Sequence, residues 1–78
     1  MQNEKHSEKL FIQSIGNRIK TIRLEKGLRQ TEVAYRCHFD KSSYYNIEAG
    51  KRNITVITLY KIANALEVPI ETFFKKDY

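Results

Sequence analysis

The sequence has 78 residues, enough for one small domain near the lower size limit at which a hydrophobic core is stable unaided. A single cysteine excludes an intrachain disulfide and a cysteine metal cluster, and it fits a reducing, cytoplasmic setting. Residues 1–10 lack the apolar core of a signal peptide, and no apolar run approaches the roughly 18 residues of a membrane span. We therefore expect a soluble cytoplasmic domain with no membrane segment, metal or cofactor.

The net charge of +5 is unevenly distributed along the chain. Residues 1–15 and 53–78 each sum to zero, whereas residues 16–52 hold nine basic and four acidic side chains. Positive charge confined to one segment is the electrostatic pattern expected of a polyanion-binding protein. On charge alone, a merely solvated basic surface is the alternative.

The first predicted helix follows a polar start of the chain. Residues 1–7 are predicted to form an N-terminal arm, and residues 8–78 a single domain. Ser7 is expected to cap a helix that starts at Glu8. Isoleucines then recur at three- and four-residue steps, the pattern of an amphipathic helix, at Ile12, Ile15, Ile19 and Ile22. Gly27 is expected to end this helix in a left-handed conformation.

Two short helices are predicted next, on either side of a break near His38. The second helix should run from about Arg29 or Gln30 to Cys37, and its buried residues should be Val33, Ala34 and Cys37. Asp40 is expected to cap the third helix by accepting from backbone amides of the first turn. The third helix should end at residues 49–50, because Gly50 permits the stop.

The remaining elements are also predicted to be helical. Thr55 is expected to cap a fourth helix, whose buried face would hold Val56, Leu59, Ile62, Ala63 and Leu66. Pro69 favours a short fifth helix from Ile70 to about Lys75. No strand pattern competes with these elements, so the predicted fold class is all-α with five helices.

A series of residues from about Ile19 to Phe74 matches one known family in order and without gaps. They are Arg23, Gly27-Leu28, Gln30, Glu32-Val33-Ala34, Phe39, Ile47-Glu48, Gly50-Lys51-Arg52-Asn53, Leu59, Lys61-Ile62-Ala63, Ala65-Leu66 and Val68. This pattern resembles the lambda-repressor-like DNA-binding domains of the Cro/C1 or XRE type, in which helices 2 and 3 form a helix-turn-helix. Residues 22–27, 34–35, 40, 52–55 and 66–74 look most like restriction–modification controller proteins.

Three positions depart from the family pattern. His38 stands where the turn usually has glycine, and a left-handed non-glycine residue there costs roughly 1 kcal/mol. Tyr44 replaces the aliphatic anchor of the recognition helix, so its hydroxyl needs a partner if it is buried. Arg29 replaces the usual threonine or serine cap of the second helix.

The resemblance implies that the third helix enters the DNA major groove with its N-terminal half against the base edges. Tyr44 and Ile47, three residues apart, are expected to face the core. The predicted base-reading residues are those left on the outer face or its flanks: Lys41, Ser42, Ser43, Tyr45 and Asn46. Lys41 can donate to guanine and Asn46 can pair with adenine. A solvated helix surface is the alternative for each.

Phosphate contacts are predicted on both sides of this helix. By resemblance, Gln30 clamps a phosphate at the start of the second helix. The other predicted phosphate-binding residues are Arg29, Lys51, Arg52 and Asn53, with Arg18 and Arg36 as further candidates. Such contacts position the protein and make its binding salt-dependent without reading sequence. A mobile basic loop is the alternative for residues 51–53.

By resemblance, Arg23 and Glu48 form a structural ion pair between the first helix and the end of the third. Glu48 is therefore not given a catalytic role. Neither a nucleophile context nor metal-ligand spacing occurs elsewhere in the sequence, and no enzymatic activity is expected.

A second copy of the chain is a predicted partner, because a C2 dimer doubles the DNA footprint. The candidate interface lies near the C-terminus, where apolar residues exceed what a small core requires: Leu66, Val68, Ile70, Phe73 and Phe74. One phenylalanine is expected to cap the core and the other to meet the partner; burial of both in the core is the alternative. Two recognition helices would then lie about 34 Å apart on a near-palindrome.

These features predict a homodimeric, sequence-specific transcriptional regulator that binds double-stranded DNA. Control of a restriction–modification operon is the narrower hypothesis, and RNA polymerase is a further candidate partner. An antitoxin or protein-interaction module with the same fold is the alternative. The charge of +5 on residues 16–52 argues against a pure interaction role.

Overall fold

The computed structural model describes residues 4–75, apart from the side chain of Glu4. Their elements, in chain order, are α1 (Glu4–Glu25), α2 (Gln30–Cys37), α3 (Lys41–Glu48), α4 (Val56–Leu66) and a 3₁₀ helix (Ile70–Phe74). No strand occurs in this range, and the all-α class is confirmed. The prediction of five helices is wrong, because residues 4–75 contain four α-helices and the segment after Pro69 forms only five residues of 3₁₀ helix.

The first helix begins earlier than predicted. Residues 4–7 belong to α1, so the predicted arm does not extend to residue 7, and Ser7 lies inside the helix instead of capping it. The rest of the predicted arm, residues 1–3, lies outside the described residues, as do residues 76–78 of the predicted domain.

The helix ends agree with most of the predicted signals. Gly27 follows α1 with a φ of 70°, which is the left-handed conformation predicted for it. Thr55 caps α4, since its Oγ1 accepts from the backbone N–H of Thr58 at 3.1 Å. Arg29 has no side-chain cap bond, but Glu32 compensates by accepting from the Arg29 backbone N–H at 2.8 Å.

Two helices end in a left-handed residue that is not glycine. His38 after α2 has a φ of 61°, and Glu67 after α4 has a φ of 59°. At His38 the turn is closed by the Phe39 N–H, which donates to the Ala34 carbonyl at 2.9 Å. The backbone at His38 is thus left-handed, the condition under which a non-glycine residue is strained there.

Glycine at either position should therefore stabilise the protein. We expect His38→Gly and Glu67→Gly each to raise the free energy of unfolding by about 0.5–1 kcal/mol, because a Cβ disfavours left-handed backbone. Ala49, which ends α3 with a φ of −75°, supplies the control. Ala49→Gly should lower stability, since the backbone at Ala49 has no left-handed strain for glycine to relieve. Chemical denaturation measures all three, and a loss of stability in His38→Gly would contradict the account.

The core holds α3 against two other helices. Each of α1 and α2 packs against α3, α2 also contacts α4, and the 3₁₀ helix closes the end of α1 and α4. The apolar core residues are Ile15, Ile19, Ile22, Val33, Ala34, Cys37, Tyr44, Ile47, Leu59, Ile62, Ala63, Ala65, Leu66 and Phe73. Because α3 is only eight residues long, it depends on this packing both for its helical structure and for its orientation.

None of the helices within residues 4–75 combines the length and the apolar character that crossing a bilayer requires.

Candidate nucleic-acid interface

Helix α3 separates its residues into an inner and an outer face. Tyr44, Ile47 and Glu48 are buried, and Ser43 is half-buried. The other predicted base-reading residues are exposed: Lys41, Ser42, Tyr45 and Asn46. The exposed face therefore offers an ammonium, a hydroxyl, a phenol and a carboxamide, which together can donate to and accept from base edges.

A buried carboxylate holds this helix in place. Arg23 Nε donates to Glu48 Oε2 at 2.6 Å, and Arg23 Nη2 donates to Glu48 Oε1 at 3.0 Å. The same guanidinium donates through Nη1 to the Leu28 carbonyl at 2.9 Å. This bidentate geometry fixes the angle between α1 and α3, which is the role that the resemblance implied for Arg23 and Glu48.

Tyr44, which lies on α3 itself, also binds Glu48, and we call the hydrogen bonds that Glu48 accepts the Glu48 network. Its hydroxyl donates to Glu48 Oε2 at 2.5 Å, so the buried phenol has the partner that it needs. Burial, and then the hydrogen bond to Glu48, raise the pKa of Tyr44 well above its usual range. The hydrogen bond to Glu48 likewise raises the pKa of Arg23. Tyr44 thus stays a neutral donor and Arg23 a cation wherever the protein is folded.

Gln30, which is predicted to bind a phosphate, also donates a hydrogen bond to Glu48. Its Nε2 donates to Glu48 Oε1 at 3.0 Å, and the side chain is half-buried at the start of α2. A carboxamide nitrogen carries two hydrogens, so one remains for a phosphate oxygen. The bond to Glu48 aims the amide before any ligand arrives, which reduces the ordering cost of binding.

Asp40 occupies the N-cap position of α3 but does not bind the helix backbone through its side chain. Its Oδ2 accepts from the Ser42 hydroxyl at 2.8 Å, and this corrects the predicted amide cap. Hydrogen bonds from Ser43 and Ser42 lower the pKa of the Asp40 carboxyl. The hydroxyl hydrogen of Ser42 is therefore engaged, and this residue presents its oxygen as an acceptor.

The remaining predicted phosphate contacts lie on the surface near the ends of α2 and α3. Arg29, Lys51, Arg52 and Asn53 are all exposed, Arg29 before α2 and the other three in the loop after α3. The two further candidates bind backbone carbonyls: Arg36 Nη1 donates to Ala65 O at 2.9 Å, and Arg18 donates to Lys75 O. Arg36 and Arg18 thus each make a contact within the fold that uses part of the guanidinium.

One residue that positions the site was missed by sequence reasoning. Gly16 lies in the middle of α1, directly against the end of α3. A Cβ at Gly16 would lie 2.8 Å from the carbonyl oxygen of Glu48 and closer still to that of Ile47. The absent side chain thus lets the two backbones approach, and a glycine in a helix interior was the available signal.

The predicted dimer residues separate into three groups by burial. Leu66 and Phe73 are buried in the core of the single chain, which contradicts their assignment to an interface. Val68 and Ile70 are half-buried against the same core, whereas Phe74 is exposed and stacks on Phe11 with ring centroids 6.5 Å apart. Phe73 is therefore the phenylalanine that completes the core.

Cys37 on α2 is buried as predicted, and its Sγ lies 3.7 Å from the carbonyl oxygen of Lys61 on α4. Burial raises the pKa of Cys37 to about 11, so almost none of it is thiolate near neutral pH. We expect iodoacetamide at pH 8 to alkylate the native protein about 100-fold or more slowly than the protein in denaturing urea. Mass spectrometry measures both rates, and equal rates would show that the thiol is accessible.

Comparison with known proteins identifies the class. Residues 19–73 match the family described as Helix-turn-helix. The chain belongs to this helix-turn-helix family, of the XRE or Cro/C1 type, whose members are DNA-binding transcriptional regulators and not enzymes.

Particular relatives refine the likeness. An uncharacterised HTH-type transcriptional regulator of Sinorhizobium fredii, y4dJ, is 46% identical over 54 residues, covering 69% of this chain and 70% of the relative. The restriction–modification controller protein C.AhdI of Aeromonas hydrophila superposes with a TM-score of 0.78 at 30% identity, covering 81% of this chain and 96% of that chain. The controller protein C.Esp1396I, solved as a tetramer on its natural 35-base-pair operator, gives a TM-score of 0.76 at 38% identity, covering 82% and 84%.

Proposed function

We propose that this protein is a sequence-specific regulator that binds double-stranded operator DNA in the cytoplasm as a homodimer. The observation that carries the proposal is the division of α3 into a buried face, locked by the Glu48 network, and an exposed polar face. A short helix held at one angle presents its side chains reproducibly, as base recognition in the major groove requires.

The roles of the side chains follow from their chemistry and position. Lys41 and Asn46 read base edges, since both are exposed on α3 and suit guanine and adenine respectively. Ser42, Ser43 and Tyr45 supply adaptable contacts to bases, to thymine methyl groups or to phosphate. The flanking phosphates are bound by Arg29, Gln30, Lys51, Arg52 and Asn53. Because these phosphate contacts release counterions, they set the salt dependence of binding.

The narrower proposal is control of a restriction–modification operon. It is supported by the likeness to the controller proteins C.AhdI and C.Esp1396I, the second of which is described on its operator. Recruitment of RNA polymerase belongs to the proposal only where the protein activates its promoter. A promoter–reporter assay with and without the protein distinguishes activation from repression.

Two substitutions test the proposed division between base-reading residues and phosphate-binding residues. Asn46→Ala should relax specificity at one base position by about 1–3 kcal/mol while leaving affinity for random DNA unchanged. Arg52→Ala should weaken binding to all sequences alike and reduce the slope of log K against log salt by about 1. Titration of duplexes with single base changes across a salt series measures both effects. The same response from both variants would contradict the assignment.

A further inference from the structure

We propose that two lysines in the N-terminal half of α1 bind DNA backbone phosphates together with the loop after α3. The cationic side chains of this site are Lys5, Lys9, Lys51 and Arg52, and we call the depression between them the cationic groove. The inference rests on the proposed function and deepens it. It extends the DNA-contacting surface to a part of α1 that precedes residues 19–73, the segment matched to the family.

The cationic groove lies between α1 and the loop after α3 and has a volume of about 560 Å³. Lys5 and Lys9 line it from α1, and Lys51 and Arg52 line it from the loop. All four side chains are exposed, so their charges are accessible to a ligand. Among the described residues that line the groove, Glu8 is the one carboxylate. Four positive charges thus face a single negative charge, which favours an anionic ligand.

The two lysines of α1 line the same groove because of their spacing. Residues four apart lie one turn apart on the same side of a helix, and Lys5, Lys9 and Gln13 have this spacing in α1. Lys9 and Lys5 therefore lie about 6 and 12 Å along the helix axis from Gln13. A DNA strand carries one phosphate per about 3.4 Å of duplex axis, so this row of side chains corresponds in length to about three phosphates.

A close contact between two backbones holds the loop against α1. Gly50 has a φ of 70°, and a Cβ at Gly50 would lie 2.7 Å from the Cα of Gln13. Glycine permits both the left-handed backbone and this approach. Lys51 and Arg52 follow Gly50 directly, so the contact places them one turn of α1 from Lys9. The cations are therefore assembled before a ligand binds, which reduces the ordering cost of binding.

The cationic groove adjoins the helix proposed to read bases, and this selects DNA as the occupant. Arg52 lines the groove and also a smaller cavity beside Asp40 and Ser43 at the start of α3. A duplex bound by α3 brings its backbone to Arg52, and the lysines of α1 continue the row of cations from there. A free anion or an acidic peptide gains nothing from this alignment with α3.

The charge distribution along the sequence does not indicate this site. Residues 1–15 sum to zero and lie outside residues 16–52, which hold the net charge of +5. The fold brings Lys5 and Lys9 together with two cations more than 40 positions away. The local charge of the assembled surface, and not the sum over a segment, determines where a phosphate binds.

The test measures binding of the full chain to a random-sequence duplex by fluorescence anisotropy across a salt series. Lys5→Gln combined with Lys9→Gln should raise the dissociation constant about 10-fold or more at 0.1 M salt. It should also reduce the slope of log K against log salt by about 2, because each phosphate contact releases about one counterion. Glu8→Gln should have the opposite effect and lower the dissociation constant, since it removes the carboxylate from the groove.

The matched control removes the same charge elsewhere on the surface. Lys26→Gln combined with Lys75→Gln changes two exposed lysines that do not line the groove. This variant should keep the dissociation constant within about twofold and the salt slope of the original chain. Glutamine and lysine have similar helix propensities, so all variants should stay folded, which circular dichroism checks.

The outcomes separate this inference from the proposed function. An unchanged salt slope in the Lys5 and Lys9 variant, while Arg52→Ala still weakens binding, overturns the inference and leaves the proposed function intact. An equal loss of affinity in the control variant also overturns the inference, since the effect then follows net charge and not the groove. An original chain that binds no duplex contradicts the proposed function, and the inference falls with it.

Discussion

Replacing Glu48 with alanine is expected to lower the free energy of unfolding by about 3–5 kcal/mol, because Arg23 then holds a buried charge without its partner. Arg23 and Glu48 are both only 7% exposed, so water does not replace the lost carboxylate. Tyr44 and Gln30 lose their acceptor in the same substitution. A small domain has roughly 5–15 kcal/mol of stability in total, so this single change approaches complete unfolding.

A double-mutant cycle makes this prediction specific to the network. The cycle compares Arg23→Met, Glu48→Leu and the double variant, which removes both charges at once. The double variant should lose less stability than the two single variants lose in sum. Tyr44→Phe should cost only about 1–2 kcal/mol, because Glu48 keeps its bonds from Arg23 and Gln30. The exposed Glu25→Ala is the control and should change stability by less than about 0.5 kcal/mol. Additive costs in urea denaturation would contradict a coupled network.

The second large effect is expected at Gly16. Gly16→Ala should lower the free energy of unfolding by about 2–3 kcal/mol, although alanine favours helices more than glycine. The new Cβ meets backbone carbonyls of α3, which cannot rotate away as a side chain can. Because α1 and α3 must separate, the exposed face of α3 shifts, and DNA affinity should fall in the variant that remains folded.

Gly27→Ala is the matched control for Gly16→Ala. Gly27 has a φ of 70° and open space around its Cα, so alanine there adds only backbone strain of about 1 kcal/mol. Its DNA affinity should equal that of the original chain. Fluorescence anisotropy with labelled duplex DNA, with thermal denaturation in parallel, compares the two. A Gly16→Ala protein that is more stable than the original would show that α1 and α3 are not in close contact.

Sequence predicted the parts of the fold that depend on local signals. The start of α4 follows from its Thr55 cap and the end of α1 from Gly27, signals that act within a few residues. Helices α2 and α3 start where they were predicted, although neither Arg29 nor Asp40 caps its helix through its side chain. The resemblance placed Arg23 beside Glu48, residues that are 25 positions apart. The missing aliphatic anchor at Tyr44 also had a readable consequence, because a buried phenol needs an acceptor and Glu48 lies one turn away.

The features that sequence did not predict depend on tertiary contacts. Residues 4–7 are polar, so nothing in their pattern indicated that α1 begins at Glu4. Apolar character alone did not distinguish Phe73, which fills the core, from Phe74, which stacks on Phe11 at the surface. Gly16 could not be interpreted without knowing which backbone lies against it. For Phe74 and Gly16 the determining neighbour is distant in the sequence.

Binding of the full chain to two DNA duplexes across a salt series shows whether α3 and its flanking loops recognise operator DNA. One duplex should carry the region upstream of its own gene, and the other a random sequence of the same length. We expect tighter binding to the first duplex at every salt concentration, with a steep loss of affinity for both duplexes as the salt concentration rises. Equal affinity for the two duplexes, or affinity that does not respond to salt, would contradict the claim that α3 and its flanking loops bind operator DNA.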